Sequence, residues 1–311
     1  MDAVLRSPAI GREPFSWRNR RFLEPRALPA YAVALVAALV PAGAVAVGAF
    51  AYDAAFLSGT SAAIGAVLLF AWAARWIGFD RVADPVEMAA LLLLTGVLLA
   101  LASAVFASTA APMADELLRG VDRSFFGFDR RAMAARLWRW PAFIDATVLV
   151  YHSLSYTPIL LMTLLVATGR RDRAWTLLSA LAIAAAVSVA SMLFFPAYGT
   201  PPYGYDFIEV HDGLRDGTLR TLDAGVVTGL VTFPSMHAAD AVILALGSRW
   251  LGRAGWPLLL LNAAMFWSAL IVGGHYLVDL IAGGLLGLGS LRVSTRLVGG
   301  IASPSSPRSA S

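Results

Sequence analysis

The chain has 311 residues, of which 59% are hydrophobic and only 14% charged, against roughly 25% charged in an ordinary soluble domain. Its 24 basic and 20 acidic residues leave a net charge of +4, and the mean hydropathy is +0.71. These values exclude a disordered chain, a basic nucleic-acid-binding domain and an ordinary soluble enzyme, because a soluble fold cannot hide so much apolar surface. What remains is an all-α, polytopic bundle of membrane helices, at about 20 residues per span.

Two absences narrow the chemistry. There is no cysteine, so disulfides, thiol nucleophiles and zinc–thiolate sites are excluded. There is no lysine either, so a side-chain cation that holds a phosphate must be arginine, whose planar fork suits it.

Residues 1–27 read as a solvated cytoplasmic arm carrying six arginines, Arg6, Arg12, Arg18, Arg20, Arg21 and Arg26. A long apolar run follows at 28–50. Ala49-Phe50-Ala51 looks like a signal-peptidase site, but the run is too long and the arm too extended, so a retained helix is expected. Further apolar runs lie at 61–78, 86–110, 145–167, 174–196, 236–251, 256–273 and 275–298, eight in all. The run at 236–251 is short enough to be re-entrant. With both termini cytoplasmic, 16 arginines fall inside and 8 outside, in the sense of the positive-inside rule. That places the long connections 111–144 and 197–233 on the outer face. In the first, Arg130–Trp140 reads as an amphipathic helix lying in the interface. The second is rich in turn formers and tyrosines, which predicts an ordered loop. The tail Ser303–Ser311 reads as disordered.

Of the four histidines, His152, His211, His237 and His275, two sit in distinctive surroundings at junctions between loop and apolar helix. One junction is Phe233-Pro234-Ser235-Met236-His237-Ala238-Ala239-Asp240, the other Gly273-Gly274-His275-Tyr276-Leu277-Val278-Asp279. Both fall on the outer face, so the two histidines can meet. His275 and Asp279 lie one helical turn apart, and the carboxylate can accept the Nδ1 proton, leaving Nε2 as a nucleophile. Gly273 and Gly274 remove side chains where an anion can approach the N–H groups of a helix start. Ser235 can donate its hydroxyl to a phosphate oxygen, and His237 can give its proton to a leaving group. A structural His–Asp pair and a simple helix start at Pro234-Ser235 are the bland alternatives. Ionisable residues in membrane segments favour the functional one. Asp240 can join His237, His275 and Asp279 in a His/Asp metal site, a weaker reading. Asp145 and His152, seven apart, can line a headgroup pocket, whereas His211 reads as solvated.

These motifs resemble those of the type 2 phosphatidic acid phosphatase (PAP2) superfamily. Its second signature, Pro-Ser-Gly-His, reads here as Pro234-Ser235-Met236-His237. Its third, Ser-Arg, five residues, His, three residues, Asp, reads as Ser268-Ala269 through His275 to Asp279. Within it, the Phe-Pro-Ser-Met-His form with Gly-His-Tyr-x-x-Asp looks most like the inositol phosphorylceramide synthase branch and its bacterial relatives. Val121-Asp122-Arg123, Gly127-Phe128-Asp129 and Leu214-Arg215-Asp216-Gly217 also look like that branch. The third-motif arginine is Ala269, and the first motif, a lysine followed by Arg-Pro, is absent. The nearest substitutes are Arg215 and Arg220, with Arg139 a weaker one.

The resemblance implies a six-helix catalytic core over 86–298 with two additional transmembrane helices in 28–85, and with the arginine bias it gives a multi-pass protein, expected in a bacterial plasma membrane, with its site on the extracytoplasmic face. It implies a lipid phosphate substrate and no metal or organic cofactor. It also implies that His275 attacks phosphorus, Asp279 orients the imidazole and His237 acts as acid and then base. Ser235, Arg215, Arg220 and the backbone at Gly274 hold the phosphate. Water as acceptor makes a phosphatase, an alcohol a phosphotransferase, including transfer of a phospho-headgroup to a lipid alcohol. The rival class is an inactive transporter or scaffold on the same fold, which the missing arginines would favour.

Overall fold

The computed structural model describes residues 21–200, 205–227 and 229–302. Most of the arginine-rich arm, the turn formers Pro201, Pro202 and Gly204 with Tyr203, and the tail from Ser303 lie outside the described residues.

The fold is an all-α helical bundle of a multi-pass membrane protein. Its first helices are α1 (Leu28–Ala46), α2 (Ala54–Trp76) and α3 (Asp80–Ala107). Asp53 caps α2, accepting the Phe56 N–H at 2.6 Å. Two short helices follow, α4 (Asp115–Phe126) and α5 (Arg130–Leu137), joined by Gly127 in the left-handed region at φ 59°. Helices α6 (Pro141–His152) and α7 (Thr157–Ala167) form one broken segment, bent by 52°. The central helix α8 (Arg171–Ser191) packs against α1, α3 and α7 and buries Trp175, Leu177 and Leu178. Past it lie α9 (Tyr205–Asp216), α10 (Met236–Ser248), α11 (Trp256–Ile271) and α12 (Leu277–Ala302).

Six helical stretches are long and apolar enough to cross a membrane, or seven if the bent α6–α7 pair counts as one span. One of the six, Met236–Ile271, is not a single rod. Gly252 breaks it at φ 65°, ψ −137°, and its two arms, α10 and α11, fold back and pack on each other. The turn is tight: a Cβ on Gly255 would stand 1.8 Å from the Ser248 carbonyl oxygen. Each of the eight apolar runs in the sequence therefore corresponds to a helix or to the bent pair, and the short run at 236–251 is one arm of a hairpin.

The connection 111–144 differs from the expectation. Its amphipathic helix is α4, which turns Leu118 and Asp122 inward, whereas α5 fully buries only Arg130. In 197–233 the chain forms α9 and a two-residue strand, β2 (Thr221–Leu222). This pairs in parallel with β1 (Ala51–Tyr52), Ala51 opposite Thr221, and so fastens the loop to the α1–α2 turn.

Polar groups collect at the two ends of the bundle. At the end holding both described termini, Arg75 pairs with Asp84 at 2.9 Å and with Glu87 at 2.5 Å. Arg171 pairs with Asp84 and, at 3.3 Å, with Glu24. The Tyr31 hydroxyl donates to Glu87 at 2.6 Å. Asp84 and Glu87 are wholly buried. The cluster locks α1, α2, α3 and α8 together, and a buried charge that loses its partner is costly. Asp84→Ala, which takes a buried carboxylate from both Arg75 and Arg171, should cost about 3–5 kcal/mol. Asp172→Ala, which removes the solvated partner of Arg26, should cost less than about 1 kcal/mol. Thermal unfolding of the purified protein in detergent measures both, and equal losses would contradict the assignment of the cluster as the lock.

Candidate active site

The opposite end gathers the segments 108–140 and 272–276 with the described residues of 192–235. Both histidine motifs lie there, and each is built around a helix start. Ser235 is the N-cap of α10, its Oγ accepting the Ala238 N–H at 3.2 Å. Its own N–H donates to the Asp279 carbonyl at 3.0 Å, joining the two motifs through the backbone. The α12 start needs partners for its free N–H groups. Asp279 Oδ2 accepts from Tyr276 N–H at 2.7 Å, and Asp122 of α4 accepts from Leu277 and Val278 at 2.8 and 2.9 Å.

That capping changes what surrounds His275. Its Nδ1 lies 3.0 Å from the Thr232 carbonyl oxygen and 3.6 Å from Asp279 Oδ2. A carbonyl can only accept, so Nδ1 carries the proton and Nε2 keeps its lone pair. The hydrogen bond that fixes this tautomer goes to a backbone carbonyl rather than to Asp279, whose Oδ2 caps the helix start. Burial, with the nearby Arg130 guanidinium, pushes His275 down to about 4 against the pull of the Thr232 carbonyl, so the ring is neutral near pH 7.

His237 sits in the first turn of α10. Its ring stacks on Tyr151 of α6 at 4.3 Å between centroids and 16° between planes. It stands 5.9 Å, centroid to centroid, from His275, so the two histidines do meet. Gly273 makes room for this arrangement, since a Cβ there would come within 2.8 Å of the Tyr151 ring. Gly274, at φ 63°, turns the chain into His275. Its carbonyl accepts the Thr200 N–H at 2.8 Å.

Both rings line one cavity of about 350 Å³. Its other walls are mostly apolar: Leu99 and Ala100 of α3, Ala185 and Val189 of α8, and Phe207 of α9. The cavity thus runs from the histidines along the α3–α8 seam.

Other expected residues are not brought to this cavity. Ser235 caps α10 and is wholly buried outside its walls. Arg215 donates to the carbonyls of Thr109 and Ala111 at 3.1 and 3.0 Å. Arg220 donates to Leu214 at 2.8 Å and covers the Phe50 ring at 5.1 Å. Both arginines brace loops by satisfying backbone carbonyls. The N–H groups of Tyr276, Leu277 and Val278 are taken by carboxylates, so the start of α12 is closed to an anion. Asp145 and His152 are exposed on α6, and Tyr151 between them faces the site instead. His211 is wholly buried rather than solvated, beside Tyr198 and Phe207. Among the described residues no group of three or more His, Cys, Asp or Glu side chains can hold a metal ion.

A sequence profile matches residues 116–293, from α4 into α12. The chain belongs to the PAP2 superfamily. No curated protein and no solved structure matches it. The PAP2 profile leaves α1–α3 outside, and it includes the α4–α5 segment.

That segment carries residues that the motifs did not reveal. Asp115 accepts the N–H groups of Tyr198 and Gly199 at 3.1 and 2.9 Å and the Tyr276 hydroxyl at 3.1 Å. Asp122 caps α12, and Arg130 donates to the Leu270 carbonyl at 3.3 Å. A signal existed: Asp115, Leu118 and Asp122 fall at i, i+3 and i+7, one face of a helix.

Proposed function

We propose that this PAP2 protein is an integral membrane phosphatase or phosphotransferase acting on a lipid phosphate through a phosphohistidine intermediate. The observation that carries this reading is the shared cavity. A histidine with a free Nε2 and a second histidine 5.9 Å away close one end of an otherwise apolar chamber.

His275 Nε2 attacks phosphorus as the P–O bond to the lipid breaks. Protonated His237 delivers its proton to the departing alkoxide. His237 then takes a proton from the incoming water or alcohol, whose oxygen attacks phosphorus and displaces the His275 nitrogen. The Thr232 carbonyl keeps the Nδ1 proton in place throughout. Asp279, 3.6 Å from Nδ1, lends negative charge to the imidazole while it bears the phosphoryl group. The acyl part of the substrate lies against α3 and α8, with α1 and α2 added outside the catalytic core. The arginine bias supports a cytoplasmic position for both termini and an extracytoplasmic one for the histidines.

The purified protein should release phosphate from a long-chain lipid phosphate with kcat/KM at least tenfold above that for a short water-soluble alkyl phosphate, because only the former fills the cavity. His237→Ala should lose turnover of both. It should still give one burst of nitrophenol from a nitrophenyl phosphate, whose leaving group needs no proton. Absence of phosphate release and of phosphoryl transfer to added polyols from every lipid phosphate tested would contradict the reading.

Orientation is tested separately. Thr218→Cys and Asp172→Cys place single thiols at opposite ends of this cysteine-free chain. An impermeant thiol reagent on intact cells should label position 218 and spare 172. The reverse pattern would move the substrate to the inner leaflet.

A further inference from the structure

Phosphoryl transfer spreads negative charge over three equatorial oxygens and needs fixed positive charge against them. The large cavity supplies none. Arg215 and Arg220 are spent on backbone carbonyls, and Ala269 stands where the third motif has its arginine.

A second cavity, of about 130 Å³, reaches the residue that follows His275. Tyr276, the next residue, lines it, and so does Thr200, whose N–H donates to the Gly274 carbonyl. Four arginines, Arg119, Arg123, Arg130 and Arg131, stand in its walls against two carboxylates, Asp122 and Asp129. Both carboxylates are turned to local partners. Asp122 caps α12 with both oxygens. Asp129 caps α5 through Ala132 N–H at 3.2 Å and lies 3.7 Å from Arg123. The cavity therefore carries an excess of positive charge.

Within it Arg130 is the buried cation, only 7% exposed. Its Nε donates to the Leu270 carbonyl, one residue along the chain from Ala269. Its charge is felt at His275. Arg119 and Tyr276 line the same cavity. The support is rigid: Asp122 pins α4 to α12, Gly127 turns the chain, and Asp129 starts α5 with Arg130 as its first residue.

We propose that this smaller cavity is an anion site for a phosphate group, and that Arg130, with Arg119 beside it, holds the phosphoryl group presented to His275. This replaces the missing motif cations with arginines from the α4–α5 segment. The catalytic part of the proposal rests on the phosphotransfer reading above, whereas the anion site itself does not.

The test uses the purified full chain in detergent, with orthovanadate as the phosphate analogue. Vanadate should raise the unfolding temperature of the wild type and of Arg136→Ala, an exposed substitution on the same helix. Arg130→Ala should lose that stabilisation and lower kcat/KM for a lipid phosphate by roughly 10²–10³-fold. Arg130→Lys should recover only part, since the charge returns without the fork. If Arg130→Ala does not fold, Arg130→Lys and Arg119→Ala carry the test, each with vanadate affinity at least tenfold weaker. Wild-type vanadate affinity in those variants, in a protein that turns over lipid phosphate, overturns the anion site and leaves the phosphotransfer reading intact. Arg130-dependent vanadate binding without any turnover sinks the phosphotransfer reading and leaves the anion site. A wild type that neither binds vanadate nor turns over removes both.

Discussion

The start of α12 presents backbone N–H groups at the loop end of a membrane bundle, where each must find an acceptor. Two carboxylates meet that demand, Asp279 from the helix itself and Asp122 from α4, 155 residues away along the chain. Much of the site follows from this one junction. Asp279, held by the Tyr276 N–H, stands slightly too far from His275 to hydrogen-bond its ring. The Thr232 carbonyl takes that place and fixes the proton on Nδ1. The Asp279 carbonyl in turn receives the Ser235 N–H, so the starts of α10 and α12, each with its histidine, are tied together. Asp122 draws α4 onto α12 and carries Arg130 with it.

The two ends of the bundle use charge differently. At one end the ionic groups neutralise one another around Arg75, Arg171, Asp84 and Glu87, and they join α1 and α2 to the rest. At the other, carboxylates and arginines mainly serve backbone groups, closing loops over the histidines. An arginine that satisfies carbonyls, as Arg215 and Arg220 do, braces a loop as firmly as an ion pair and leaves no carboxylate buried without a partner.

Apolar run length made the bundle legible in the sequence, because membrane helices must satisfy their own backbone over about 20 residues. Motif spacing made the two histidines and Asp279 legible, since each motif is local to one helix start. The partners of those residues were hidden. Thr232 acts on His275 through its carbonyl, which no side-chain pattern reveals. Asp122 and Arg130 reach the site across some 140 to 155 residues. Ser235 and Arg215 bond to the backbone for a related reason: the same atoms that can bind phosphate can also cap a helix or bind a carbonyl, and only the packing decides. The Arg130–Trp140 stretch looked amphipathic by composition, yet α4, with apolar and acidic positions at i, i+3 and i+7, is the helix that docks.

The claim that most of this account depends on is a neutral His275 with its free Nε2 facing the shared cavity. Rapid mixing of the purified protein with a radiolabelled lipid phosphate, alkaline quenching and peptide mass spectrometry tests it directly. The account predicts acid-labile, base-stable phosphate on Nε2 of His275, absent from His275→Ala. Phosphate on His237 instead, or none on a protein that turns over, would contradict it.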